Sequence, residues 1–213
     1  MYIVQVKLVG NIHGDEVVGR ELLLGLAEGL CTGWMEQRED VLRLLKSTEV
    51  HLLPSLNPDG FVLKTRNNAN DRDLNRGFPD WADLGPTRFG SFQSSCHVVM
   101  TCINRFGPVE EDKVRQPEVE ALMAWTLDNQ FVLSLGLHDG WTTVLFPWDD
   151  SPSCTDTDDA VTVEDDTFYQ LASLYAHHHE FMHTGECPCH PELPLILGNY
   201  RYIGAPLDHC VQI

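Results

Sequence analysis

The chain has 213 residues, 43% of them hydrophobic and 22% charged, which suits one globular domain able to bury a sizeable core and excludes a disordered polymer. A net charge of −18 excludes a phosphate-binding surface, since nucleic-acid recognition needs clustered Lys and Arg; it favours cationic partners or simple solubility. No apolar run approaches the roughly eighteen residues of a transmembrane helix, and the first ten residues lack the basic and long apolar regions of a secretory signal.

In chain order, residues 2–10 alternate weakly and predict a strand that begins abruptly, as though upstream sequence were missing. It ends at Gly10-Asn11-Ile12-His13-Gly14-Asp15-Glu16. An amphipathic helix is expected from Glu16 to Leu30, with Val17, Leu22, Leu24, Leu26, Ala27 and Leu30 as its apolar residues, and a second short helix from Met35 to Lys46. Residues 49–54 predict a buried strand closed by a turn at Asn57-Pro58-Asp59-Gly60. Residues 61–90 are rich in Asn, Asp, Arg and Gly and predict an irregular functional loop. Gln116-Pro117-Glu118 opens a helix to about Asn129, with proline near its first turn. Phe131–Leu137 is a continuous apolar strand of the kind buried on both faces, delivering His138 at its carboxyl end. A strand over Thr142–Trp148 and a helix over Glu164–His179, with Phe168, Leu171, Leu174 and Tyr175 on one stripe, follow; after Thr184 the pattern decays. Alternating strands and helices predict an α/β fold, a mostly parallel mixed sheet with helices on both faces, in which chemistry gathers at the carboxyl ends of the strands.

Seven cysteines (31, 96, 102, 154, 187, 189 and 210) form no paired Cys-x-x-Cys framework, and their odd number leaves the redox compartment undecided. His13 and Glu16 are three residues apart at a strand-to-helix junction and supply one nitrogen and one carboxylate. His138, at a second strand end, completes the two-His, one-Glu set of a hydrolytic zinc site. In the loop, Arg66 can face a developing oxyanion, and the neighbours Asn75 and Arg76 can hold a carboxylate through amide and guanidinium donors. Composition alone favours a solvated loop with Asn-rich turn chemistry.

Gly10-Asn-Ile-His13-Gly-Asp-Glu16-Val-Val-Gly-Arg-Glu, Pro54-Ser-Leu-Asn-Pro-Asp-Gly-Phe61 and Arg66-Asn-Asn-Ala-Asn-Asp-Arg-Asp-Leu-Asn75-Arg76-Gly-Phe-Pro-Asp80 occur in this order. Gln116-Pro-Glu118, Leu137-His138-Asp-Gly140, Phe146-Pro-Trp-Asp149 and Met182-His-Thr-Gly-Glu186 follow them. Over about residues 6–84 and 114–187 the series resembles the zinc metallocarboxypeptidases, in particular the regulatory branch of carboxypeptidases N, E, M and D. The resemblance implies a single partial domain over 1–213 that binds Zn2+ through His13, Glu16 and His138. It implies that Asn75 and Arg76 clamp a substrate's C-terminal carboxylate and that Arg66 helps polarise the scissile carbonyl. It further implies that Asp149 selects a C-terminal Lys or Arg, and that the protein works extracellularly or in the secretory pathway on peptide C-termini.

Three departures accompany the resemblance. The family's general-base glutamate, in a late-strand Thr-Leu-Glu-like context, has no counterpart, neither Glu192 nor Asp208 standing in such a context, and Val211 falls where a substrate-contacting tyrosine is expected. Residues 86–112 form an atypical insert and those from 188 an atypical tail. Asp139 stands where the branch usually has glycine. A fold incomplete at the C-terminus, as from a truncated gene product or isoform, is therefore expected. The alternatives are an inactive zinc- and peptide-binding protein and an aspartoacylase-like amidohydrolase.

Overall fold

The computed structural model describes residues 3–78, 115–140, 142–146, 164–184 and 202–205. Three strands, β1 (Val4–Gly10), β2 (Thr48–Leu53) and β3 (Phe131–Leu137), form a parallel sheet in the order β2-β1-β3. β4 (Thr142–Leu145) and β5 (Tyr202–Ala205) pair antiparallel as a separate two-stranded sheet. Among the described residues the parallel and antiparallel strands thus fall in two sheets. The strand at 202–205 lies in a stretch where the sequence pattern shows no element: it has four residues and finds its partner about sixty residues away.

Two helices cover opposite faces of the parallel sheet. Alternate residues of a strand point to opposite sides. On β1, Val9 joins a buried cluster with Ile12, Leu56, Leu74, Phe78, Val119 and Leu122, and the buried Lys7 donates to Thr126 Oγ1. Val119, Leu122 and Thr126 belong to α4 (Pro117–Asp128), so α4 lies on that face. Gly10 points the other way, against α1 (Val18–Met35), where a side chain would press on the Gly19 backbone at 3.0 Å. Helix α2 (Glu39–Ser47) leads into β2, and α3 (Pro58–Leu63) follows it. A further helix, α5, spans Asp165–His177. No helix among the described residues is long and apolar enough to cross a membrane.

Several expectations change on contact with the packing. The segment Asn57-Pro58-Asp59-Gly60 does not stop at a turn but opens α3, with Asn57 Oδ1 accepting from Gly60 N at 2.9 Å and Pro58 in the first turn, where its missing N–H is harmless. On α1 the buried residues are Gly19, Leu23 and Gly33, while Leu22, Leu24 and Leu26 are exposed. The helix is rotated because Gly19 permits a close approach: a Cβ there would meet Leu137 Cβ at 2.8 Å. On α5, Ala172 and Ala176 are buried, whereas Leu171 and Leu174 face outward. Strand β3, expected to be buried on both faces, is an edge of the parallel sheet among the described residues, and Val132 is 68% exposed.

Leu74 is fully buried, although it lies in the Asn-rich loop, within a 3-10 turn over Leu74–Arg76. It anchors that turn in the cluster beneath α4. Leu74→Ala should therefore cost about 2–5 kcal/mol, a large share of the ~5–15 kcal/mol of an ordinary domain. A lowered midpoint in urea denaturation with an unchanged slope is the measurement that checks it.

Candidate metal centre

Strand register brings the polar residues together. Gly10 of β1 pairs with Leu137 of β3, so His13, three residues beyond Gly10, and His138, directly after Leu137, emerge at adjacent carboxyl ends. Their rings lie 5.0 Å apart between centroids. Glu16 reaches both: His13 Nδ1 is 2.6 Å from Oε1, and His138 Nδ1 is 2.8 Å from Oε2. One ligand atom from each of the three residues lies within 4.8 Å of the others.

The turn that presents His13 and Glu16 is built by two buried asparagines. Asn11 adopts φ 56°, a left-handed conformation that asparagine tolerates. Its Nδ2 donates to the carbonyls of His13 (2.9 Å), Gly14 (3.1 Å) and Glu16 (3.0 Å), and its Oδ1 accepts from Ser55 Oγ at 2.7 Å. Asn57 Nδ2 donates to Ile12 O at 3.2 Å and Arg66 O at 3.3 Å, tying the turn to the Asn-rich loop. Gly14 is required here, because a Cβ would lie 2.1 Å from the Gly60 carbonyl carbon. The sequence marked Asn57 only as a turn residue and did not single out Asn11; a buried asparagine bonded to three carbonyls leaves no periodicity to read.

Three further groups surround the cluster. Asp73 Oδ1 lies 3.2 Å from His13 Nε2 and accepts from Asn75 N at 2.9 Å, while its Oδ2 accepts from Arg66 Nε at 3.0 Å and Nη2 at 2.9 Å. Arg66 Nη1 is 3.3 Å from His13 Nδ1 and 3.6 Å from Glu16 Oε1. Asp139 Oδ2 accepts from Val18 N at 3.2 Å and so caps α1, whose own cap residue Val17 has no side-chain acceptor. Where the sequence reading saw in Asp139 only a departure from glycine, the carboxylate joins the start of α1 to the end of β3, holding Glu16 and His138 in one frame. Asn68, also buried, ties the loop to α4 through Gln116 Oε1 at 3.0 Å and Glu118 Oε1 at 3.2 Å.

Of the remaining expected residues, Asn75 is half-buried and borders a cavity of about 80 Å3 shared with Val9, Phe78, Leu122 and His138. Arg76 is exposed, with Nη1 donating to Asn75 O at 3.2 Å. Asp149, the insert at 86–112, the tail from 188 with Glu192, Asp208 and Val211, and every cysteine but Cys31 lie outside the described residues.

The donor set fits a divalent cation. His13 sits between two carboxylates, with Nδ1 towards Glu16 and Nε2 towards Asp73; a neutral ring has a proton for only one of them. Either a second proton or a cation at Nδ1 resolves this, and a carboxylate behind a ligating imidazole is the usual support of a metal-bound histidine. Burial pushes the His13 imidazole down, but the adjacent Asp73 and Glu16 carboxylates outweigh it and raise its pKa above 6.5. Burial likewise pushes Glu16 up, but hydrogen bonds from His13 and His138 hold its carboxyl down at about 2.

These shifts set a pH dependence. The Glu16 contribution to stability is present above 4.5 and lost as pH falls towards about 2. The His13 contribution is complete below 6.5 and lost as pH rises through the raised value. The two overlap fully between 4.5 and 6.5. A bound cation needs the deprotonated ring, so zinc should raise the melting temperature more at pH 8 than at pH 5.5, with proton release detectable by calorimetry in buffers of different ionisation enthalpy. An equal zinc increment at both pH values would contradict the assignment of His13 Nδ1 as a ligand.

Comparison with known proteins agrees with this geometry. The family profile described as zinc carboxypeptidase matches residues 3–198. Carboxypeptidase D of Rattus norvegicus is 40% identical over 202 residues, covering 87% of this chain and 13% of its own length. Carboxypeptidase E of Caenorhabditis elegans is 37% identical, covering 87% of this chain and 41% of its own length; the carboxypeptidase N catalytic chain of Rattus norvegicus, also 37% identical, covers 85% and 42%. The chain thus spans well under half the length of these relatives. The crystal structure of thrombin activatable fibrinolysis inhibitor superposes on all of this chain and 54% of its own with a TM-score of 0.59 at 14% identity, a likeness of fold.

Proposed function

The chain belongs to the zinc carboxypeptidase family, and from that premise we propose that it carries the metal-binding and substrate-clamping part of a peptidase that removes C-terminal residues, Lys or Arg by preference. The observation that supports this best is the convergence of His13, Glu16 and His138 ligand atoms within 4.8 Å, from positions up to 125 residues apart.

In this reading His13 and His138 bind Zn2+ through Nδ1 and Glu16 through its carboxylate, with Asp73 holding His13 in orientation. Bound there, zinc supplies a water acidified towards a pKa of about 7 and a Lewis acid for the scissile carbonyl. Arg66, fixed by Asp73, donates to the oxygen on which negative charge develops. Asn75 and Arg76 donate to the terminal carboxylate; the fixed, planar guanidinium favours a carboxylate over a neutral amide end. Asp149 supplies the opposite charge for a basic side chain. A second reading is capture of peptide C-termini without turnover. The extracellular or secretory-pathway location belongs to the same proposal and rests on the regulatory-branch resemblance.

The deciding experiment offers the zinc-loaded chain a short peptide ending in Arg, the same peptide amidated at its C-terminus, and an N-acyl amino acid. Release of free Arg that stops on chelation supports the peptidase; binding of the acid but not the amide, without release, supports the capture reading. Indifference to the C-terminal carboxylate, or turnover of the N-acyl amino acid alone, would overturn both.

A further inference from the structure

Resting on the reading that a free peptide C-terminus docks at the metal centre, we propose that an open groove beside that centre receives the preceding residues of the peptide and favours aliphatic side chains there. The groove encloses about 360 Å3 and is lined by Gly14, Asp15, Val17, Phe61, Val62 and Lys64. Val17 is 41% exposed and Val62 76% exposed, so two aliphatic side chains stand open in a concave surface.

The chain on either side fixes where the groove begins. Gly14 and Asp15, on one wall, are the two residues between His13 and Glu16, so that wall is the turn between two metal-ligating side chains. The other wall is α3 with its cap Lys64, two residues before Arg66. Gly14 N donates to Arg66 O at 3.2 Å, and Gly14 packs on the Gly60 backbone too closely for any side chain, so the two walls are joined at the metal end. Asn75, assigned to the terminal carboxylate, shares a separate and smaller cavity with His138. A peptide whose last residue is held there must lead its preceding residues away across the metal centre. The groove is the concavity that meets His13, Glu16 and Arg66 on that path.

The walls are ordered before a peptide arrives. The Arg20 guanidinium stacks 4.3 Å from the centroid of the Phe61 ring, and Phe61 N donates to Asn57 O at 3.0 Å. Lys64 holds φ 57°, the left-handed geometry that glycine more often supplies at a helix end. A preformed surface spares the cost of ordering it on binding. The lining carries one carboxylate, Asp15, and one ammonium, Lys64, whose charges cancel in a chain of net charge −18. The groove therefore has no net charge with which to select a basic residue, and an ion laid against Val17 and Val62 would lose hydration. An aliphatic side chain gains there by leaving water. Asp15 and Lys64 serve as acceptor and donor for the peptide backbone.

The test measures, by calorimetry, the affinity of the zinc-loaded chain for N-acetyl tetrapeptides ending in Ala-Arg, with Leu-Leu or Ser-Ser at the first two positions. Their last amide is replaced by a ketomethylene, so binding is read whether or not the chain turns over. N-acetyl-arginine, too short to reach the groove, reports the carboxylate clamp alone. The Leu-Leu ligand should bind about tenfold more tightly than the Ser-Ser ligand, the lower end of what an apolar pocket discriminates. Val62→Ser, at a position exposed enough to spare the fold, should shrink that ratio to within about twofold. Val132→Ser, at an exposed valine of β3 outside the groove, should leave the ratio at about tenfold. The groove's role is overturned if N-acetyl-arginine binds but the two peptides do not differ, if the ratio survives Val62→Ser, or if Val132→Ser erases it equally. If neither N-acetyl-arginine nor either peptide binds, C-terminal docking itself fails and takes the groove's role with it, an outcome distinct from the other three.

Discussion

Replacing His138 with alanine should abolish stoichiometric zinc uptake and lower affinity by more than the roughly 100-fold that loss of a mere outer-shell partner can reach. His138 follows the last residue of β3 and is half-buried, so its removal leaves the β1–β3 pairing intact while Glu16 Oε2 loses a partner at 2.8 Å. His13→Ala should act in the same direction but with a cost in folding, because His13 is 3% exposed and also faces Asp73. Zinc content of the purified chains reads the first effect. Melting temperature with and without chelator reads a second: an ion at about a thousand times its Kd stabilises the wild type by about 4 kcal/mol, and the His138→Ala chain should show no such increment. Equal zinc in wild type and both variants would remove the metal centre.

On the peptidase reading proposed above, Arg66→Ala should lower kcat on a peptide ending in Arg by about 100- to 1000-fold, or about 2.7–4 kcal/mol, with KM little changed, as expected if Arg66 donates mainly in the transition state. The side chain is well prepared for this. Asp73 Oδ2 accepts from both Nε and Nη2, which leaves Nη1 directed towards His13 and Glu16. Arg66→Lys should restore little, because an ammonium cannot keep two contacts to Asp73 while presenting a third donor to substrate. The same contrast is available in binding: a tetrahedral phosphonate analogue should lose far more affinity than the free C-terminal arginine product. Equal losses for both would reduce Arg66 to a general contributor of positive charge.

Much of the framework is legible in the chain. β1, β2 and β3 lie within two residues of their expected bounds, and α4 begins at the proline that the sequence marks. The three metal-ligating types stand at strand ends because the chemistry demands two imidazoles and a carboxylate, and the ordered motifs around them are specific. Burial was less legible. Leu22, Leu24 and Leu26 satisfy a helical period as well as Leu23 does, yet only Leu23 is buried, at 1% exposure; the choice was made by Gly19 docking against Leu137, more than a hundred residues away.

What the sequence by itself determined about this protein is local: where the main strands and helices run, and which residues have the chemistry to hold a divalent ion. Those follow from interactions within a few residues, from side-chain donor types and from the motif series. Only the tertiary structure decided that Gly10 pairs with Leu137, so that His13 and His138 converge, that Asp73 backs His13 and steadies Arg66, and that Asp139 caps a helix 121 residues earlier in the chain. Each of these depends on hydrogen-bond register and on desolvation between distant segments, which no local pattern encodes.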